Sequence, residues 1–485
     1  MQFTTEGNDH LPFAQAQRDA HNPGMFDDQG NRKPPIYINH VDDNGYCDVK
    51  YYMPRTVACS VQALDDVFGS YHRFQNRIIS EDKLNLIYAE HRLLLGFLFN
   101  SRTMMVILSP RKREKIMCIL SEEGWTETKT KATLTEAATI NGMIQSAAEF
   151  FPWGRARLLV LQQLLRVQIR KAFARYKVLS RIQRRVTETR RAMPKNLQYR
   201  LKHLGLTEVL RAMWNSKEKF TVTDDVRKAL RTIYKFLQEE RRWETPIGHI
   251  VHREPAIIST QDASHLALGV QVLEREIMCL IPYSQEIIDA IKVSHKVHIN
   301  SLEFIAIMVS LMIFQLDYKQ HKSMYPPYPT MTCYGDNTAA NSWVRKIQTE
   351  STTGQNLLRY YGELTLHSPV HNNLSHIPGQ DNVVADDISQ VCKLFSPHLS
   401  SAHSCPFPIL LQQIVSKYKQ MQSWRVFLPS PEVLADLKSI LLSDYCMEDV
   451  NPPRNLGQFV RVEHILCAGS NSDDYSRQYS QETVL

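Results

Sequence analysis

The chain has 485 residues, 43% hydrophobic and 22% charged, with a mild net charge of +7, which is enough for roughly three domains with packed cores. It contains no uninterrupted run of 18 uncharged apolar residues, and its first residues lack the basic and apolar regions of a signal peptide, so we expect neither a membrane span nor export. The nine cysteines include no CxxC pair, which argues against a zinc site or a disulfide framework and favours the cytoplasm or the nucleus.

The first hundred residues are predicted to contain short strands. Residues 1–36 are polar and rich in turn-forming residues. The apolar segment IYINHV then leads into Asp42 and Asp43, and LLLGFLF and TMMVILS are predicted as two further strands. The run Asp-Asp-Asn-Gly is also typical of an ordinary hairpin turn.

Residues 119–240 are predicted to be mostly helical, and much of this region is basic. Between Arg155 and Lys202 there are fifteen Lys or Arg residues and one acid, Glu188. Such a basic stripe suits a phosphate backbone, because each neutralised phosphate releases counterions. The alternative is a solvated helix face. We expect the stripe to bind nucleic acid. The residues predicted to make these contacts are Arg170, Lys171, Arg184, Arg185, Arg190 and Arg191.

From Ala256 onwards the pattern changes to that of a mixed α/β sheet. Three strands are predicted in succession, AIIST, LALGVQVLE and REIMCLIPY, and helices then alternate with strands up to a helix after Asn382. Residues 396–470 show no assignable pattern, and the polar end of the chain is expected to be disordered. The other predicted elements are helices at 300–316, 338–348 and 354–366, a strand at 330–335 and a short strand leading into His376.

Four acidic residues occupy comparable places in this α/β segment. Asp262 follows the first strand, and Asp336 follows the strand MTCY. Glu303 is the only charged residue within 300–316, in a predicted helix that is apolar nearly all round and is therefore expected to be buried. Asp386 lies in the helix after HIPGQDN. An unpaired buried charge is costly, so Glu303 in particular needs a partner or a cation.

Each acid also has an ordinary structural explanation. Asp262 suits a turn, Asp336 a helix cap, and Asp386 the first turn of a helix, where the macrodipole favours a carboxylate. Glu303 could complete a capping box with Asn300 as the N-cap. As a set, clustered carboxylates repel one another unless a cation neutralises them, and oxygen ligands favour Mg²⁺ or Mn²⁺. Two such ions about 3.5–4 Å apart stabilise the attacking and leaving oxygens of phosphodiester hydrolysis.

The motifs that carry these acids are STQDAS, SLEFIAI, CYGDNTAA and HIPGQDNVVADDIS. They resemble the type-1 RNase H domain of retroelement polyproteins, and the last motif is the most specific. The first departs slightly, because Gln261 stands where Thr or a small residue is usual. The resemblance implies an RNase H-like mixed five-stranded sheet with helices, and Mg²⁺-dependent (or Mn²⁺-dependent) cleavage of RNA in RNA–DNA hybrids. The metal ligands that it implies are Asp262, Glu303, Asp336 and Asp386.

The resemblance also assigns a role to the histidine of the last motif. His376 lies ten residues before Asp386, the separation that the family uses, and it would assist proton transfer or product release. The same separation favours Asp386 over its neighbour Asp387 as the fourth acid.

The segment before this unit is similar to part of a reverse transcriptase. Asp42 and Asp43 match the metal-binding motif of the palm, Lys83 matches a later motif with a lysine, and Leu95-Gly96 matches the primer grip. His40 stands where an aromatic residue is usual. No third metal-binding Asp precedes Asp42 at the end of an apolar strand, so we expect only a partial palm, with polymerase activity lost through truncation.

The whole pattern resembles a Pol fragment of a DIRS-like or related retrotransposon, an α/β multidomain protein that binds RNA–DNA hybrids, DNA and RNA, and no membrane. The alternative is a non-catalytic, nucleic-acid-binding relic. A retroviral-type integrase shares the RNase H-like fold but lacks a His-Ile-Pro-Gly motif before its last acid. The predicted segments are a polar amino-terminal segment (1–36), a partial palm (37–105), a basic helical thumb and connection (106–250), an RNase H-like domain (253–395) and a partly disordered carboxy-terminal extension (396–485).

Overall fold

The computed structural model describes most of the chain from residue 91 to residue 468, together with two earlier strands. Residues 469–484, the polar end for which we predict disorder, lie outside the described residues. Predicted site residues that also lie outside them are Asp42, Lys83, Arg184, Arg185, Arg190 and Arg191. The described residues are 36–40, 43–47, 91–94, 96–100, 102–176, 217–239, 243–249, 255–326, 328–366, 368–395, 406–444, 453, 455–468 and 485.

The chain divides into two compact units. The first comprises Met1–Ser109 with Glu244–Ile247, and the second comprises Pro110–Trp243 with Gly248–Leu485. The second unit therefore includes both the segment predicted as thumb and connection and the segment predicted as an RNase H-like domain.

The described residues of the first unit form two small antiparallel sheets. Strands β1 (Ile36–His40) and β2 (Asp43–Cys47) pair as a hairpin in which His40 lies opposite Asp43. The predicted strand LLLGFLF is instead two strands, because Gly96 adopts a φ of 82° and the chain reverses there. The second sheet consists, in spatial order, of β3 (His91–Leu94), β4 (Phe97–Asn100), β5 (Met105–Leu108) and β8 (Glu244–Pro246).

The segment predicted to be mostly helical forms the first part of the second unit. Helix α2 begins at a capping box made by Thr133 and Glu136, and α5 buries residues at helical spacing, including Val226, Leu230 and Ile233. The elements are α1 (Pro110–Glu122), β6 (Lys131–Thr133), α2 (Leu134–Ala147), α3 (Pro152–Arg157), α4 (Leu159–Tyr176), β7 (Lys219–Thr221) and α5 (Asp224–Gln238).

A seven-stranded mixed sheet forms the core of the second unit. In spatial order its strands are β13 (His371–His376), β12 (Thr330–Gly335), β9 (Ile257–Ala263), β10 (Ala267–Val272), β11 (Ile277–Pro282), β14 (Arg425–Pro429) and β15 (Gly457–Arg461). Strand β10 is antiparallel to β9 and β11, whereas β12 is parallel to β9 and β13. The predicted mixed α/β class is confirmed, and the sheet has two strands more than the predicted five.

Helices pack against this sheet, and α7 is the longest of those described. It is long and apolar enough to cross a membrane, yet 78% of its most apolar window is buried inside the protein. Packing against β9, β10 and β12 accounts for its composition. The helices are α6 (Gln285–Lys292), α7 (Ile299–Gln320), α8 (Thr338–Lys346), α9 (Thr352–Thr365), α10 (Val383–Gln390), α11 (Phe407–Lys417), α12 (Pro431–Leu442) and α13 (Val462–Ala468).

Within the carboxy-terminal extension, where the sequence up to residue 470 shows no assignable pattern, the structure describes helices and strands. The extension supplies α11, α12, α13 and the two additional strands, with β14 parallel to β11. The fully buried carboxylate of Asp317, near the end of α7, pairs with Arg275 at 2.8 Å and with Arg425 of β14 at 3.1 Å. Burial alone would raise the pKa of Asp317, but the hydrogen bonds from these groups lower it. The extension is therefore joined to the sheet by an internal ion-pair network as well as by a strand.

Helix α3 joins the helical part of the second unit to the sheet part. A Cβ atom at Gly362 of α9 would lie 2.9 Å from the Cα of Trp153, so only glycine permits this approach. Beside it, Arg157 and Glu363 form a buried ion pair at 2.7 Å. Losing one partner of such a pair costs about 3–5 kcal/mol, because the other charge stays buried. The two parts are therefore packed together as a single compact unit.

Helix α10 lies very close to the sheet because β10 offers a glycine. A Cβ atom at Gly269 would lie 2.6 Å from the carbonyl oxygen of Ala385 and 2.8 Å from both Ile388 Cβ and the amide nitrogen of Ser389. The hydroxyl of Ser264 donates a hydrogen bond to the carbonyl of Ser389 at 2.7 Å and ties the same helix to the end of β9. The position of α10 thus depends on a residue without a side chain.

We expect Gly269→Ala to destabilise the second unit by about 1–3 kcal/mol, because the added methyl group must push α10 away from β10. The matched control is Gly142→Ala in α2, where a Cβ meets no described atom within 4 Å and should stabilise the helix by about 0.5–1 kcal/mol. Urea unfolding of both variants measures the difference. Two variants of equal stability would contradict the close packing.

Candidate metal centre

The carboxyl ends of four strands lie at one edge of the seven-stranded sheet. Strands β9, β12 and β13 are mutually parallel, and β11 runs in the same direction because β10 is antiparallel to both β9 and β11. Asp262 is the penultimate residue of β9, Asp336 follows β12, His376 ends β13 and Tyr283 follows β11. The topology therefore brings together side chains that are far apart in the sequence.

Helix α7 brings Glu303 to this edge from its second turn. The helix is capped by His298, whose side chain accepts a hydrogen bond from the amide of Asn300 at 3.2 Å. The capping box with Asn300 as N-cap is therefore wrong. The side chain of Asn300 instead accepts a hydrogen bond from Asn337 at 3.0 Å, which connects the start of α7 to the start of α8. Glu303 takes no part in capping its helix.

Asp336 is likewise free of the capping role that its position would allow. The N-cap of α8 is the next residue, Asn337, whose side-chain oxygen accepts from the amide of Ala340 at 2.9 Å. The carboxylate of Asp336 remains available to the edge of the sheet.

Three carboxylates converge at this edge. Asp262, Glu303 and Asp336 each offer one oxygen atom, and these three atoms lie within 4.8 Å of one another. Asp262 is 7% exposed and Glu303 is 5% exposed, whereas Asp336 is more open to solvent. The triad could hold a metal ion, and its all-oxygen ligand set is the kind that hard divalent cations prefer.

The electrostatics of the triad also call for a cation. The pKa of Glu303 is raised to about 9, mainly by burial and also by the charges of Asp262 and Asp336. Burial is also the main reason that the pKa of Asp262 is raised to about 6, and the charges of Asp386 and Asp336 add to it. A cation between the two carboxylates would lower both pKa values and let both groups ionise at neutral pH.

Helix α10 adds a fourth acid beside the triad. Asp386 is half-buried and close enough for its charge to act on Asp262, although it is not one of the three carboxylates within 4.8 Å of one another. Gln390, one turn later, donates a hydrogen bond to its carboxylate. Ser389 donates a hydrogen bond to the carboxylate of Asp262. The carboxylate of Asp387, next to Asp386 in the sequence, instead accepts hydrogen bonds from Lys417 and Tyr418 of the extension.

The His-Ile-Pro-Gly turn passes over Asp336. The amide of Ile377 donates to the carbonyl of Gly335 at 3.3 Å, and a Cβ at Gly379 would lie 3.1 Å from Asp336 Oδ2. His376 is exposed at the end of β13, where it pairs in register with Gly335. The turn thus places an exposed histidine at the rim of the acidic cluster.

The asparagine of the same motif has a structural role. Asn382 is buried, and its side-chain amide donates to the carbonyl of Gln261 at 2.9 Å, so that the start of α10 is bound to β9 one residue before Asp262. Hydrogen-bonded buried amides of this kind fix the relative position of two elements. The motif therefore positions two acids and a histidine at once.

Sequence reasoning missed two residues of this site. Ser389 lies three residues after Asp386, on the same face of α10, and this spacing could have indicated it. Tyr283 is fully buried, and its hydroxyl has no hydrogen-bond partner among the described residues. Burial raises the pKa of Tyr283, as do the nearby charges of Glu303 and Asp262. No local pattern marks Tyr283, because its proximity comes from the order of the strands.

Three other predicted site residues lie among the described residues. Asp43 is the first residue of β2, in the first unit. Arg170 lies on α4, with its guanidinium 3.5 Å from Glu350, and Lys171 beside it is exposed. The functions predicted for these residues stay predictions.

We expect the free energy of unfolding of the metal-free protein to fall as the pH rises from 6 to 9. Over this range the raised pKa of Glu303 means that the folded state keeps a proton that the unfolded state releases, and Asp262 acts in the same way between about pH 4 and pH 6. Their stabilisation is complete below about pH 4 and is lost as the pH rises through these values, by up to about 1.4 kcal/mol per pH unit for each proton. Mg²⁺ should restore stability most at pH 9, where it no longer competes with protons.

Thermal unfolding in EDTA and in Mg²⁺, at pH 6 and at pH 9, measures both effects. The control is Glu303→Gln, which keeps the shape of the side chain but cannot titrate, and should weaken both responses. Equal pH dependence in the variant and the unmodified protein would contradict the origin assigned to it.

Comparison of the chain with protein-family models, with curated proteins and with solved structures finds no match.

Proposed function

We propose that the chain is a retroelement-derived reverse transcriptase/RNase H fragment that cleaves the RNA strand of RNA–DNA hybrids with the help of Mg²⁺. The observation that carries the proposal is the convergence of Asp262, Glu303 and Asp336 to within 4.8 Å, beside Asp386. These residues come from four separated motifs whose order and spacing resemble the type-1 RNase H domain. A binding-only relic has no need to keep four carboxylates close together, so the arrangement favours catalysis over that alternative.

The arrangement of the sheet supports the same proposal. Three antiparallel strands, β9, β10 and β11, are followed along the chain by β12 and β13, which extend the sheet in parallel beside β9. The acids follow the order strand, helix, strand end, helix along the chain. This is the order expected for an RNase H-like domain within a larger mixed sheet.

In this proposal each side chain has a distinct task. Asp262, Glu303, Asp336 and Asp386 would hold the divalent ions. Bound ions would stabilise the attacking and leaving oxygens of the phosphodiester. Exposed at the rim, His376 moves a proton to or from the departing group. Ser389 and Asn382 orient the acids through hydrogen bonds to Asp262 and to the backbone beside it.

The proposal assigns the first unit to a partial polymerase palm. The hairpin of β1 and β2, with Asp43 at its turn, is consistent with a metal-binding palm hairpin. The proposed partners are RNA–DNA hybrids, DNA and RNA, in the cytoplasm or the nucleus.

We expect Asp336→Asn to reduce hybrid cleavage by about 10³-fold or more, because it removes a ligand charge where bound ions contribute several kcal/mol. Hybrid affinity should stay near that of the unmodified protein. His376→Ala should cost about 10²-fold, the low end for acid–base catalysis, because water reaches the exposed position. Single-turnover cleavage of a labelled hybrid in Mg²⁺ and a separate binding measurement test both variants.

The matched control is Asp225→Asn, the same substitution at an exposed position in the first turn of α5, which should cleave normally. If Asp336→Asn cleaves the hybrid as fast as the unmodified protein, the metal centre is assigned to the wrong residues.

We also expect the basic stripe to bind phosphates without reading sequence. Affinity for a hybrid should fall steeply with salt, and replacing Arg184, Arg185, Arg190 and Arg191 with Ala should flatten the slope of log affinity against log salt by up to about four units, near one for each neutralised phosphate. Fluorescence anisotropy over a series of salt concentrations measures the slope. An unchanged slope would mean that these arginines only face solvent.

A further inference from the structure

The carboxy-terminal extension is hydrogen-bonded to α10, the helix that carries the fourth acid, Asp386. Asp387 of α10 accepts hydrogen bonds from the ammonium group of Lys417 and from the hydroxyl of Tyr418. Lys417 ends α11, and Tyr418 follows it directly. A single carboxylate thus receives both donors from one short segment of the extension.

The two donors differ in strength. The side chain of Lys417 is 58% exposed, and ion pairs of this kind contribute little. Tyr418 is half-buried against the core, and its hydroxyl donates to an ionised acceptor, which makes the stronger bond of the two. The Tyr418 hydroxyl is therefore the principal link between the extension and α10. Helix α11 also packs against the turn that follows α10, Val391–Phe395.

Helix α10 is directly connected to the metal centre. Ser389, two residues after Asp387, donates to the carboxylate of Asp262, and Asp386 precedes Asp387. On its other side, α10 rests on Gly269 with no space to shift inward. A helix held between β10 and the extension keeps both links to the acids in place.

We propose that Tyr418, supported by Lys417, is a positioning residue of the metal centre, acting through Asp387 and α10. The extension would then be a working part of the catalytic unit. The inference rests on the proposed function for its meaning in catalysis, but its effect on metal binding can be measured without any nucleic acid. Partners that orient metal ligands change metal affinity by about 10–100-fold when they are removed.

The test measures Mn²⁺ affinity by calorimetry for the full chain and for Tyr418→Phe, which keeps the ring and removes only the hydroxyl. We expect Mn²⁺ binding to weaken about tenfold, with the melting temperature of the metal-free protein nearly unchanged. Hybrid cleavage should slow at low Mn²⁺ and recover at high Mn²⁺, while the KM for the hybrid stays constant. Recovery at high metal distinguishes a positioning role from a purely structural one.

Three further variants control the result. Lys438→Met removes another ion pair between the extension and the core, with Glu286 of α6 at 2.8 Å, and should leave Mn²⁺ affinity unchanged. Lys417→Met, at an exposed position, should have a smaller effect of the same sign, and it serves as the test variant if Tyr418→Phe does not fold. Lys417→Arg keeps a donor and should bind metal normally.

Unchanged Mn²⁺ affinity in Tyr418→Phe would overturn the inference, and so would an equal loss in Lys438→Met, because the effect would then come from general docking of the extension. If the unmodified protein binds Mn²⁺ but cleaves no hybrid, the proposed function fails, while the positioning role is still decided by the affinities.

Discussion

The mutual repulsion of two buried carboxylates is the constraint around which the second unit is organised. Asp262 and Glu303 are almost inaccessible to water. Burial raises the pKa of both, and the charge of Asp262 adds to the pKa shift of Glu303. Left to itself, this arrangement is destabilising, because desolvation disfavours each charge and proximity disfavours both. A domain that needed only stability would place apolar residues there. The triad makes physical sense when a divalent cation supplies the missing positive charge.

Holding such a cluster requires a rigid frame, and the frame is built from close backbone contacts. Gly269 lets α10 approach the sheet, and Asn382 and Ser389 then bind the helix to the backbone and side chain of β9. Both hydrogen bonds are buried and both hold the same helix, so a small displacement of α10 would break them together. Preorganisation of this kind keeps acidic ligands in place against their own repulsion.

Hydrophobic periodicity and turn-forming residues in the sequence predict much of this frame. The strands from β9 to β13 and the helices from α7 to α10 follow the predicted ones within a few residues, because each is patterned and bounded by turn residues, whereas α6 is not predicted. The convergence of the acids could be anticipated only through the spacing of the motifs. The N-cap of α7 could not be anticipated, since the choice between Asn300 and His298 depends on contacts with α8 rather than on local propensity. Tyr283 reaches the same edge through strand order alone.

The extension contributes a strand pairing that the local sequence does not predict. Strand β14 is only five residues long and lies next to β11, about 150 residues earlier in the chain, so no short-range pattern announces the pairing. Its consequences are nevertheless large. Strand β14 pairs with the first two residues of β11, a strand whose six residues are all buried, and it places Arg425 beside Arg275 at the carboxylate of Asp317. Without the extension, β11 would become an exposed apolar edge, the kind that promotes aggregation, and a buried carboxylate would lose one of its two guanidinium partners. The segment therefore belongs to the folding unit of the acidic cluster, and the contacts of Tyr418 with α10 extend that dependence to the metal centre itself.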